Sequence, residues 1–396
     1  MIHIDKGNNL NILIMGNPES IFIRNLCKNV FCDDNTKVAI LTQRYNGNFE
    51  DEYRNQGINI VTWPNCFVDG IKRYIFRVSF LINQIKLTAK QIGFGNKIDV
   101  VQMHYVEPIH LIYFFPLWRH AQKKILVFWG SDICRINVQS RIILPYFLKQ
   151  SDILVFMTDN QSILFQSVFG HDYDQKIKVI DFGNSLIDVL DNIDQKCTRL
   201  ESRDRWKIDS TKICIHIGYN STKAQQHIKI IDSILALPRE VIDRVQLVFH
   251  FGYGYNEEYC EYKRSIIEVL DRNRIKYSII EDFLVDEDLA MFRKTCDIFL
   301  YGQTSDARSA SPLEYLYAGA RVICPGWLED NYDFLKHEEQ CFYVYNGFEN
   351  LESVIMKCIN ELPSDNGDEM KICKEKIRER ISWDSVKSKW RDLYEQ

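Results

Sequence analysis

Asp306 and Glu314 stand eight positions apart within residues 301–326, YGQTSDARSASPLEYLYAGARVICPG, with Arg308, Ser309 and Ser311 between them. An apolar run at 297–301 leads into this polar loop. A short helix starts near Ser311-Pro312 and ends at Ala318-Gly319, and a second strand, 321–324, stops at Pro325-Gly326. A helix opening on such a loop offers free backbone N–H groups and the positive end of its dipole, which suits a phosphate. Glu314, one turn in, is placed to accept hydrogen bonds from a ribose, and Arg308 to meet a phosphate. The plain alternatives are a capped helix between two strands and a solvated arginine.

A second constellation is IHIGYNSTKAQQH at 215–227. A glycine at a strand end, Gly218, then Asn220 and Lys223 ahead of a helix make a plausible diphosphate cradle. Gly252 and Tyr253 follow the next strand, where glycine lets a backbone approach a ligand or simply turns tightly. In the first half, His104 ends one strand, Glu107 follows it, and Trp129-Gly130-Ser131-Asp132 ends the next. His104 is a candidate site residue by its place at a strand's carboxyl end. Asp132 is a candidate to orient His104, to touch an acceptor hydroxyl, or to cap its own turn. By the same strand-end argument, Gly16 and Asn17 line the acceptor side. The clusters Asp172/Asp174 and Asp286/Asp288 fall outside strand ends of the second half, so no metal is assigned to them.

These residues must be held by a scaffold, and the pattern of apolar runs supplies it. Short strands at 11–15, 37–41, 58–61, 99–103, 124–128, 151–157 and 176–180 alternate with helical stretches. A polar segment then breaks the rhythm, and strands resume at 212–217, 245–251, 275–280, 297–301, 321–324 and 341–345. Strand and helix in turn predict α/β architecture, doubly wound parallel sheets in two Rossmann-like domains. The expected boundaries are 1–187, a linker at 188–206, 207–367, and a returning C-terminal helix at 368–396. Ligands then belong at the carboxyl ends of the strands, in a cleft between the two sheets.

Composition narrows the class. Of 396 residues, 46% are hydrophobic and 26% charged, an ordinary globular balance. No block of like charge points to nucleic acid. The 12 cysteines never fall as Cys-x-x-Cys and read as reduced, mostly buried thiols. No signal-peptide pattern opens the chain and no apolar run reaches spanning length, so the expected place is the cytoplasm. Basic residues do concentrate between positions 60 and 150, 12 against 4 acidic. Within 71–90, Lys72, Arg73 and Arg77 interleave with Phe76 and Phe80 opposite an apolar stripe, which suits an anionic bilayer at the inner face of the plasma membrane. Packing of the two phenylalanines under a loop is the alternative.

The 301–326 stretch resembles the donor-site signature of GT-B glycosyltransferases of family 4, the group 1 transferases. That signature has an acid, a glutamate eight positions later, then Ala-x-x-x-Gly-x-x-Val-Ile. Here Asp306, Glu314 and Ala318-Gly319-Ala320-Arg321-Val322-Ile323 fill it, with Tyr315 at the first alanine and Asp306-Ala-Arg-Ser309 where the family has Glu-Gly-Phe-Gly. The Gly218-Tyr-Asn220-Ser loop, followed by His227, is similar to bacterial 4-acetamido-4,6-dideoxygalactose transferases that act on lipid-linked acceptors. The resemblance implies a metal-independent transferase moving a sugar from a nucleoside-diphosphate donor to a glycan or polyprenyl-linked glycan, as in surface or capsular polysaccharide synthesis. It implies no cofactor beyond that donor, and retention of configuration. Donor contacts would come from Gly218, Asn220, Lys223, Gly252, Tyr253, Arg308, Ser309, Ser311 and Glu314, with Asp306 on the donor sugar and His104, where the family has a histidine, near the sugar and acceptor. An inverting reaction would instead need Asp132, Glu107 or His104 as base. A sugar-nucleotide 2-epimerase and a non-catalytic nucleotide-sugar-binding scaffold are the rival readings.

Overall fold

The computed structural model describes residues 10–31, 36–42, 45–62, 94, 97–107, 111, 115–305, 308–335, 340–362 and 367–395. Asp306 lies outside the described residues, as does the basic stretch carrying Lys72, Arg73, Phe76, Arg77 and Phe80. The chain forms two compact units, Met1–Gly183 with Trp383–Gln396, and Asn184–Ser382.

In the first unit the strands are β1 (Leu10–Met15), β2 (Thr36–Thr42), β3 (Asn59–Thr62), β4 (Val100–His104), β5 (Lys123–Val127), β6 (Ile153–Phe156) and β7 (Ile177–Val179). They pair in parallel in the order β3-β2-β1-β4-β5-β6-β7. Successive side chains point to opposite faces, so Leu13 and Met15 join Trp118, Leu144 and Phe165 in one core, while Ile12 and Ile14 join Ile23, Leu26 and Trp390 in the other. Both faces are covered, which is why the strands read as unbroken apolar runs. Polar residues set the helix starts: Ser20, Asn137 and Thr158 each accept a backbone N–H of the helix that follows. The helix Trp383–Glu395 completes the unit, with Trp390 Nε1 donating to the Asp181 carbonyl at 2.9 Å. Gly183 sits so close to Trp383 that a Cβ there would lie 2.2 Å from the indole.

The second unit repeats the plan with β8 (Ile213–Ile217), β9 (Val245–His250), β10 (Lys276–Ile280), β11 (Ile298–Leu300), β12 (Arg321–Pro325) and β13 (Phe342–Tyr345), ordered β10-β9-β8-β11-β12-β13 and parallel throughout. In each sheet the order of connection reverses beside the first strand, between β1 and β4 and between β8 and β11. Such switch points are where doubly wound sheets hold ligands.

Two expectations are corrected here. Residues 188–206 are no linker; all but Cys197, Thr198 and Trp206 fall within the helices Leu186–Lys196 and Arg199–Arg205 of the second unit. Their polarity misled because the charges are paired: Arg203 and Arg199 hold Asp297 at 2.5 and 2.9 Å, and Asp194 holds Lys294 and, at 3.0 Å, Lys374. The single closing helix is two, Gly367–Ile381 in the second unit and Trp383–Glu395 in the first.

Candidate functional site

The β8–β11 switch point of the second unit assembles most of the expected donor residues. Gly218 follows β8 with φ +65, a conformation open to glycine, and a Cβ there would stand 2.8 Å from His227 Nε2. Asn220 Oδ1 accepts from the Thr222 N–H at 3.0 Å and its hydroxyl at 2.8 Å, so this side chain shapes the loop. The loop after β11 is tied to it: Gln226 Nε2 donates to the Gly302 carbonyl at 2.7 Å, Thr304 N–H to the Ala224 carbonyl at 3.1 Å, and Tyr219 stacks on Tyr301. Lys223 is more than half exposed and pairs with Glu258 at 2.7 Å. Gly252 is required by its neighbour: a Cβ would lie 2.4 Å from the Asp282 carbonyl. Tyr253, partly exposed, accepts the Ser221 hydroxyl on its carbonyl at 2.8 Å.

The helix Ala310–Tyr317 opens on Ser309, whose hydroxyl accepts the Ser311 N–H at 3.4 Å. Arg308 donates to the Asn331 carbonyl at 3.4 Å. One turn in, the Glu314 carboxylate is nearly buried and held on both oxygens. Arg293 reaches Oε2 through Nε at 3.1 Å and Nη2 at 3.0 Å, and Asn184 Nδ2 reaches Oε1 at 3.1 Å. Arg293 also donates to Ser311 Oγ at 3.3 Å and lies 4.3 Å over the Tyr315 ring. Burial works against the arginine's charge, but Tyr315 and Glu314 more than offset it and hold the guanidinium above its usual range. A fixed carboxylate over a fixed cation is a preorganised acceptor, which can receive hydroxyl donors without first being ordered.

Beneath it, Tyr315 stacks on Phe299 at 4.0 Å between ring centres, and its hydroxyl meets His216 Nδ1 at 2.8 Å. Thr295 spends its hydroxyl proton on the Phe292 carbonyl, so its oxygen accepts from His216 Nε2 at 3.0 Å. That fixes the tautomer of a fully buried histidine. Tyr315 therefore replaces the small residue of the resembled signature with a post under the Arg293–Glu314 pair.

The β1–β4 switch point of the first unit looks similar in sequence and differs in chemistry. His104 ends β4 but is only 2% exposed. Trp129 Nε1 donates to its Nδ1 at 3.2 Å, so the ring proton sits on Nε2. That nitrogen lies 2.8 Å from Gln102 Nε2, while Gln102 Oε1 accepts from the Tyr394 hydroxyl; a protonated Nε2 requires the amide turned the other way round, with its oxygen on the histidine side. Burial depresses the imidazole to about 3. Both nitrogens are occupied, so the expectation that His104 contacts a sugar or acts as a base is not met by its position.

Asp132 does not orient His104 either. Its carboxylate accepts the backbone N–H groups of Val106 at 2.9 Å, Trp129 at 3.0 Å and Gly130 at 2.8 Å, joining the loops after β4 and β5. Burial pushes its pKa up to about 6 against the pull of those donors. Gly16 is a packing glycine, since a Cβ would lie 2.5 Å from Ile23 Cδ1, and Asn17 is exposed with its Oδ1 on the Glu19 N–H at 3.0 Å. Glu107, three residues after His104, is half-buried.

Sequence reasoning missed Arg293 and Asn184, the two residues that grip Glu314. Asn184 lies 130 positions away and nothing in its spacing marks it. Arg293 follows the buried Ala290 by one helical turn and so faces inward, which was a readable signal. Among the described residues there is no group of His, Cys, Asp and Glu that could hold a metal ion, and no helix is long and apolar enough to cross a membrane.

No protein-family model matches the chain, and no curated protein matches it significantly. Solved structures do. A glycosyltransferase from Rickettsia africae aligns with TM-score 0.73 at 16% identity, covering 98% of each chain. A sucrose-phosphate synthase from Thermosynechococcus elongatus gives 0.72 at 12%, and HepE from Anabaena, in complex with UDP, gives 0.71 at 12%; each covers 97% of this chain and 98% of its own. At such identities the likeness speaks to architecture alone, and it is decisive there: this chain has the two-unit α/β fold of the GT-B glycosyltransferases.

Proposed function

We propose that the protein is a glycosyltransferase that takes its nucleoside-diphosphate sugar at the β8–β11 switch point. The observation that carries this reading is Glu314, a buried carboxylate clamped by Arg293 and Asn184 one turn into a serine-capped helix. HepE, of the same fold, is described in complex with UDP and with UDP-glucose, which supports a nucleoside diphosphate as the ligand class here.

In this reading Glu314 accepts the ribose hydroxyls and the N–H groups at Ser309–Ser311 face a phosphate. Lys223 exchanges Glu258 for the diphosphate, and Arg308 adds positive charge, so that the departing nucleotide is stabilised electrostatically. Asp306 is assigned to the donor sugar's hydroxyls. The resemblance supports a retaining reaction, in which the leaving diphosphate oxygen takes the acceptor's proton; with His104 and Asp132 committed to internal hydrogen bonds, Glu107 is the base candidate that remains for inversion. The acceptor is proposed to be a glycan or lipid-linked glycan of the surface or capsular polysaccharide type, the reaction metal-independent, and the place the cytoplasmic face of the membrane.

The test is a screen of UDP-, GDP- and dTDP-sugars for thermal stabilisation and slow hydrolysis, with wild type and Glu314→Gln. One donor should stabilise the wild type and release its nucleoside diphosphate, with both responses reduced in the variant. A 2-epimerised sugar would favour an epimerase instead, and binding without turnover a scaffold. No response from the wild type to any donor would remove the reading.

A further inference from the structure

His104 and Asp132 are buried groups with no part in the donor site, and both are spent on the same neighbours. Asp132 accepts the backbone N–H groups of Trp129, Gly130 and Val106, and His104 Nδ1 accepts the Trp129 indole N–H at 3.2 Å. Trp129 is therefore held by its backbone and by its ring, and it packs on Phe22 with ring centres 4.9 Å apart. Tyr105, between His104 and Val106, is pinned on both sides as well. Its N–H donates to the Val127 carbonyl at 3.1 Å, and the next N–H along the chain is the one that Asp132 holds at 2.9 Å.

That grip sustains an uncommon backbone. Tyr105 has φ +58, in the left-handed region that disfavours a bulky side chain. Lys207 and Arg274 share it just past helix ends, a usual place, whereas Tyr105 adopts it directly after β4. Strain of this kind persists where the surroundings enforce it, and it gathers at ligand sites. Here it sets the Tyr105 ring 5.8 Å from the Trp129 ring at 65°, with both residues partly exposed at the β1–β4 switch point. Ser131 Oγ donates to the Tyr105 hydroxyl at 3.3 Å, and among the described residues nothing takes the phenol proton in turn. Two fixed rings edged by hydroxyls match a pyranose, which has an apolar C–H face and a rim of hydroxyls. Rings already ordered lose little entropy when such a ligand binds.

We propose that Tyr105 and Trp129 form a platform that seats a pyranose ring of the acceptor, with His104 and Asp132 as its positioning residues. That the sugar belongs to the acceptor rests on the transferase reading; the platform itself does not. The test is saturation-transfer NMR of the full chain with the methyl glycosides of glucose, galactose, mannose and N-acetylglucosamine. At least one should receive magnetisation from wild type, with or without saturating UDP, GDP or dTDP. Tyr105→Gly removes the ring and takes the left-handed backbone freely, so it should melt close to wild type yet bind the glycoside roughly tenfold more weakly. Tyr105→Phe keeps the ring and should retain most of the binding. Asp132→Asn should weaken the glycoside while leaving nucleotide affinity unchanged, a split that a general loss of stability would not produce. No glycoside signal from wild type, an equal signal from Tyr105→Gly, or displacement of the glycoside by a nucleotide overturns the platform. Failure of the donor reading would show separately, as a wild type that ignores every nucleotide and still binds the glycoside.

Discussion

The two switch points are built on the same strand order and end in opposite ways. In the first unit, the titratable groups at the strand ends are turned inward: His104 is shared between Trp129 and the Gln102 amide, and Asp132 between three backbone N–H groups. In the second, a carboxylate and a guanidinium are locked to each other under a helix N-terminus, beside a lysine that faces solvent. Position at a strand's carboxyl end thus does not by itself make a side chain available. What separates the two is how much capacity is left: both ring nitrogens of His104 are taken, whereas Glu314 receives three side-chain donors and keeps a lone-pair position.

The strongest way to break this comparison is Arg293→Met. It leaves Glu314 without its cation in a nearly buried place, and loss of one partner of a buried pair costs about 3–5 kcal/mol. Urea unfolding should show that loss, and Arg293→Lys should recover part of it. A variant as stable as wild type would mean that the pair is not the anchor described here.

Asp132→Asn comes next. The amide presents donors to backbone donors, and losing charged hydrogen bonds of this kind costs about 1.5–3 kcal/mol. Melting should fall while donor binding stays at the wild-type level. A selective loss of turnover without loss of stability would instead return Asp132 to the reaction.

The buried histidines sharpen the contrast through pH. Burial depresses His104 and His227 to about 3 and His250 to about 4, below the 6.5 of an exposed imidazole. Each stays neutral in the folded chain while the unfolded chain takes up protons below pH 6.5. Their stabilisation is therefore fully present above pH 6.5 and is lost as pH falls toward 3–4. Asp132 runs the other way, with a raised pKa whose contribution is lost as pH rises from 3.8 through about 6. Three histidines outweigh one aspartate, so the melting temperature should drop on acidification below pH 6.5. A melting temperature that holds steady down to pH 4 would contradict their burial as neutral rings.

Lys223→Ala should have the smallest effect on stability, because the Lys223–Glu258 pair is exposed. Calorimetry should nevertheless register about tenfold weaker donor binding if the ammonium meets phosphate. Equal affinity would leave the lysine as a surface charge.

Much of the architecture was legible because parallel strands buried on both faces are unbroken apolar runs, and β1 through β13 lie within two residues of where those runs put them. The helix stop at Gly319, with φ +89, was legible, and the start expected near Ser311-Pro312 falls just inside the observed Ser309 cap. The helices over 186–205 were not, because ion pairs to Asp297 and Lys294 look like solvated charge in a one-dimensional reading. For the same reason His104 and Asp132 looked available. Their partners, Tyr394 through Gln102 for one and Val106 for the other, are supplied by loops and a helix distant in sequence. Glu314 was readable as a candidate; of its clamp, Asn184, 130 positions away, was not.

The central claim is that the second unit's locked carboxylate binds the donor and the first unit's locked histidine does not take part. Titration calorimetry with UDP, GDP and dTDP on wild type, Glu314→Gln and His104→Gln tests it directly. One nucleotide should bind wild type and His104→Gln alike and bind Glu314→Gln at least tenfold more weakly. Equal binding to Glu314→Gln, or loss of binding in a folded His104→Gln, would contradict it.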